Sequence, residues 1–91
     1  MVCYDTQDGK WAARAQFVLT TWGFKNVRIL NGGLKAWGER KTESGDSRKP
    51  NDKDFNFTYN SEAVTTFETI QAITSGQVKS QIVDARPAAA F

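Results

Sequence analysis

The sequence predicts an α/β fold, a small and mostly parallel sheet with flanking helices, built incompletely. Three observations carry this. A short apolar run, Val2-Cys3-Tyr4, passes through a polar loop with one glycine into an amphipathic segment beginning at Trp11. A second β-rich run, Val27-Arg28-Ile29-Leu30, follows within about thirty residues, the length of a right-handed crossover unit with parallel strands. A third, Gln81-Ile82-Val83-Asp84, leads into an Ala-Ala-Ala-Phe end that reads as an interruption, without a turn, cap or return element.

Val2 to Tyr4 is a strand by its β-branched and aromatic content. Trp11, Ala15, Val18, Leu19 and Trp22 then recur as the inner stripe of a helix, with Arg14, Thr20 and Thr21 off it. Gly23 is placed to stop that helix in a left-handed turn. After the second strand, Asn31-Gly32-Gly33 forms a turn, and Leu34 to Glu39 a short helix with Leu34 and Trp37 on one side.

Between Lys41 and Asp54 no aliphatic or aromatic residue occurs, so this stretch reads as a linker or long surface loop. Phe55-Asn56-Phe57-Thr58-Tyr59 alternates aromatic and polar residues like a half-exposed strand. Thr65 and Glu68 have the spacing of a capping box. Phe67, Ile70 and Ile73 give the helix that follows an inner face, and Gly76 lies where it ends.

Composition narrows the function classes. The chain has 91 residues, 40% of them hydrophobic, with three Trp and six Phe, which suits at most one small globular domain. Twelve basic against ten acidic residues leave a net charge of +2 without a long basic run, which argues against nucleic-acid binding. No apolar stretch approaches the ~20 residues that cross a bilayer. Met1 runs directly into a strand, so no signal or transit segment is visible. One cysteine gives no internal disulfide, and the absence of histidine argues against a zinc or histidine-based site.

The strand-loop-helix junction at Asp5 is where chemistry is expected. In a parallel sheet, loop amides and the positive end of a helix converge there on anionic groups. Asp5 stands at the strand's carboxyl tip, and a carboxylate is a poor nucleophile and a repulsive neighbour for an anion. Its expected role is structural, capping the amides that follow. Cys3 lies within the strand between apolar neighbours and is expected to be buried, inert packing. Asp84 and Arg86 share strand parity around Ala85. Arg86 is either part of an anion site or half of an ion pair bracing the loop. Trp11, Trp22 and Trp37 are expected in the core, and Lys10 is a lone exposed lysine.

Three segments together resemble the rhodanese family, specifically its two-domain thiosulfate and 3-mercaptopyruvate sulfurtransferases. The first is Val2-Cys3-Tyr4-Asp5 with its loop and Ala12-Ala13-Arg14. The second is Gly23-Phe24-Lys25-Asn26-Val27-Arg28-Ile29-Leu30-Asn31-Gly32-Gly33-Leu34-Lys35-Ala36-Trp37. The third is Ile82-Val83-Asp84-Ala85-Arg86-Pro87 to Phe91. Their order and spacing, around a polar linker, make the combination fairly specific. Asn31 stands where the family usually has aspartate, and Ala90 where the two-domain enzymes commonly have an arginine for the substrate anion.

The resemblance implies a rhodanese-like fold in three parts. Residues 1–41 are the second half of an N-terminal rhodanese-like domain, 42–54 a polar linker, and 55–91 the start of a C-terminal one. It implies sulfur transfer from thiosulfate or 3-mercaptopyruvate to a thiol or cyanide, through a cysteine persulfide outside this chain. Asp5 then occupies the nucleophile position of the inactive domain, no residue of this chain is catalytic, and Arg86 is the substrate-binding candidate. No cofactor and no metal are implied. The expected partners are a small anionic sulfur donor in the full-length protein and a partner chain covering the incomplete core, with no nucleic acid and no membrane. An intracellular setting, cytoplasmic or mitochondrial, is favoured. The alternative is a non-catalytic rhodanese-like scaffold or binding module.

Overall fold

The computed structural model describes residues 1–40, 45 and 56–90. Apart from Gly45, the 42–54 linker therefore lies outside the described residues, as do Phe55 and Phe91. The chain forms two compact units, Met1–Ser61 and Glu62–Phe91.

In the first unit the order is β1 (Val2–Cys3), α1 (Lys10–Thr21), β2 (Arg28–Ile29) and α2 (Gly33–Trp37). The two strands pair in parallel, Val2 opposite Arg28 and Cys3 opposite Ile29. The Arg28 amide donates to Met1 O at 3.0 Å and the Leu30 amide to Cys3 O at 2.9 Å. α1 packs across both strands, giving the expected crossover unit. Both strands are shorter than the runs at Val2–Tyr4 and Val27–Leu30, because among the described residues each has one paired neighbour to hold it.

The helix ends as its sequence dictates. Gly23 sits at φ 90°, its amide donating to Thr20 O and the Phe24 amide reaching back to Leu19 O. This left-handed turn satisfies carbonyls that the last helical turn leaves open.

The buried face of α1 differs from the predicted stripe. Ala12 is 2% exposed, Gln16 and Leu19 are half-buried, and Thr21 is buried. Trp11, Ala15, Val18 and Trp22 are exposed. Ala12, one of three alanines on the helix, is the one covered where α1 lies across the two strands. The Gln16 amide then reaches Val27 O at 3.4 Å. Thr21 donates its hydroxyl to Phe17 O at 2.8 Å, which allows a polar residue to be buried there.

The expectation of three core tryptophans is likewise corrected. Trp11 lies beside Lys10, whose Nζ is 5.8 Å from the ring, and Trp37 beside Arg40, at 5.4 Å. Trp22 packs edge-on against Phe57, with centroids 5.2 Å apart, and in a tilted contact with Tyr59 at 4.8 Å. The Asn60 amide donates to Thr21 O at 2.8 Å, so residues 57–60 lie along the end of α1 and form no strand.

A short 3-10 helix, Ser61–Ala63, begins at the last residue of the first unit, and the second unit holds α3 (Phe67–Thr74) and a second 3-10 turn at Ala88–Ala90. The N-cap of α3 is Thr66 rather than Thr65, its side chain accepting from the Thr69 amide at 3.2 Å. Glu68 stands in the first turn, favourable to the helix dipole without closing a capping box. Ile70 and Ile73 are half-buried as expected, but Phe67 is 75% exposed. Gly76, at φ 79°, closes the helix with the Gln77 amide returning to Ala72 O.

The predicted strand at Gln81–Asp84 is absent: the segment is irregular and exposed, Val83 by 85%. A strand exists only by pairing, and among the described residues no edge is paired with this one.

With Ala12 and Val27 as the buried apolar residues among those described, the fold has little to hold it. The isolated chain should melt broadly and below about 65 °C, which a thermal scan by circular dichroism will show; a cooperative transition above that range would contradict the incomplete core. Gly33 is a sharper test. It is buried at φ 57°, and a Cβ there would sit 2.5 Å from Asp5 O. Gly33→Ala should cost about 1–3 kcal/mol, read as a lower folded fraction in urea titration.

Candidate functional site

The loop that the sequence singles out lies beyond the carboxyl ends of the two parallel strands. Asp5 lies just beyond β1, separated from it by Tyr4, in the loop into α1. Gly9, in the left-handed region at φ 88°, is the residue before the helix and offers no side chain to cap it. The open amides of the first turn therefore need an acceptor from elsewhere.

Asp5 supplies it with both carboxylate oxygens. Oδ1 accepts from the Gln7 amide at 3.0 Å and the Gly9 amide at 3.1 Å. Oδ2 accepts from the Trp11 and Ala12 amides, each at 3.1 Å. Asp8 adds a local bond, its Oδ1 accepting from the Lys10 amide at 3.2 Å. The loop is thus a cradle of backbone N–H groups at a helix N-terminus, filled by a carboxylate of the same chain.

The second loop closes on the same residue. After β2 the chain turns through Asn31 and Gly32, and the Gly33 amide donates to Leu30 O at 3.0 Å. The Leu34 amide then donates to Asp5 O, also at 3.0 Å. Asp5 joins both loops, through its side chain to one and its carbonyl to the other. The structural role read from the sequence included the first contact and missed the second. The Gly32-Gly33 pair was its available signal, since close backbone approach needs a residue without a Cβ.

The electrostatics follow. Hydrogen bonds from amides, that of Ala12 foremost, hold the Asp5 carboxyl below its ordinary range, and they do so against desolvation, which pushes it up. Charge at this point is favoured, as at any anion-accepting helix N-terminus.

Cys3 is free and half-buried, less covered than the sequence implied, because β1 has one neighbouring strand among the described residues. Arg86 lies in the second unit. Its guanidinium engages Asp84 from two nitrogens, Nε at 3.0 Å from both carboxylate oxygens and Nη2 at 2.6 Å from Oδ2. The Arg86 amide also donates to Asp84 Oδ1 at 3.0 Å. The hydrogen bond from the Arg86 side chain lowers the Asp84 carboxyl and raises the guanidinium. With the Arg86 side chain 61% exposed, the pair organises a surface turn and contributes little stability.

A parallel crossover unit with backbone amides converging beyond the carboxyl end of its first strand is an anion-accepting type of α/β site. Residues 1–40 match the rhodanese-like domain family, and the chain belongs to the rhodanese family. Along its whole length it is similar to 3-mercaptopyruvate sulfurtransferase of Escherichia coli, 37% identical over 93 aligned residues, which is 32% of that protein. A shorter stretch, 41% of this chain, is 54% identical over 37 residues to SseB of Mycobacterium tuberculosis, which bears the name of a thiosulfate sulfurtransferase; it covers 13% of that protein. The chain therefore spans about a third of the length of the first of these relatives. No solved structure matches it.

The cradle makes a pH-dependent prediction. Because the folded-state pKa of Asp5 lies below the unfolded value of ~3.9, its contribution to stability is present above that value and lost as pH falls through the folded pKa. Asp5→Asn keeps one acceptor oxygen and removes the charge. Denaturation of both chains from about pH 7 down to about 2 should show a stability gap that is widest above about pH 5 and narrows in acid. A gap independent of pH would mean the charge is not what the cradle holds.

Proposed function

We propose that this chain is part of a two-domain sulfurtransferase, and that its own loop is the non-catalytic one. Residues 1–41 form the second half of an N-terminal rhodanese-like domain, 42–54 a polar linker, and 55–91 the start of a C-terminal domain. Sulfane sulfur passes from thiosulfate or 3-mercaptopyruvate to a thiol or cyanide, carried as a persulfide on a cysteine outside these 91 residues.

The observation that carries this is the Asp5 carboxylate, bonded to four backbone amides in the cradle. A thiolate in such a cradle is stabilised by the same amides and holds a transferable sulfur as an anion. A carboxylate takes the same hydrogen bonds and has no sulfur chemistry. The similarity to sulfurtransferases over the whole chain supports the assignment at the level of the family. Arg86 is the residue of this chain proposed to meet the donor anion, and an incoming anion has to compete with Asp84 for it.

The filled cradle also suits a rhodanese-like module that binds without catalysing. The length of the natural polypeptide separates the two readings: a longer chain with a second such loop beginning in cysteine supports the enzyme, and a natural stop after Phe91 supports the module.

The purified 91-residue chain should transfer no sulfur from thiosulfate or 3-mercaptopyruvate to cyanide, and Cys3→Ser should behave like the parent. Turnover that Cys3→Ser abolishes would overturn the assignment of the loop. In a Cys3→Ser background, Asp5→Cys should place a thiol among the amides, with its pKa below the usual ~8.5. At pH 7 it should alkylate faster than a model thiol, as iodoacetamide labelling followed by mass spectrometry will report. Labelling at or below the model rate would mean that the cradle does not survive without its carboxylate.

A further inference from the structure

We draw no further inference here: the strongest candidate, the open groove between α1 and the loop leading into β2, lined by Gln16, Thr20, Lys25 and Arg28, carries none because nothing in the structure shows what covers it.

Discussion

The first unit depends on one carboxylate. A helix of 12 residues begins at Lys10 after a glycine that cannot cap it, so its first-turn amides would stand open to solvent. Asp5, just beyond β1, turns its two oxygens onto the amides of Gln7, Gly9, Trp11 and Ala12. Strand, loop and helix are thereby fixed relative to one another with little help from apolar packing. The carbonyl of the same residue receives the Leu34 amide, which brings the turn after β2 against the turn after β1. This contact forces the backbone of Gly33 so close to Asp5 that a side chain there has no room.

Under the proposed function, the same arrangement lets one scaffold serve structure in one domain and chemistry in another. Amides aimed at a point reward whatever negative charge stands there, and they are indifferent to its element. With oxygen at that point, the charge is stable, held low in pKa and unreactive, and the amides act as a joint. With sulfur at that point, the stabilised charge is a nucleophile. In this chain the residue at that point is Asp5, and its carboxylate braces loop and helix.

What was legible in the sequence was whatever a short stretch of chain determines. Gly23 and Gly76 end their helices as read, because a left-handed turn is a local requirement. The parallel pairing of the strands follows from a helix lying between them, and Asp5 was recognisable as a cap by its place before that helix. The rest is set by neighbours. Which face of α1 is buried depends on how many strands it covers, so Ala12 outranks Trp11 although tryptophan carries far more apolar area. Thr21 is buried because its hydroxyl finds Phe17 O, which no hydropathy pattern encodes. Thr66 displaces Thr65 as the cap by one position, the ordinary margin between adjacent residues of the same type. Arg86 was left open between an anion site and an ion pair, and it stands in the pair with Asp84.

The misplaced stripe carries one more step. Trp11, Val18 and Trp22 are exposed on α1 while Ala12 and Leu19 face the sheet, so apolar residues extend around much of the helix. A helix with that distribution is one that packs on more than one side. Ile82 and Val83, exposed and without a ladder, say the same of a strand. Both segments carry apolar residues for more neighbours than the described residues supply. The Asp5 cradle is free of this dependence, since its partners all lie within residues 5–34. The site is thus more self-contained than the fold around it: its geometry comes from hydrogen bonds within residues 5–34, whereas much of the apolar surface of α1 stays exposed.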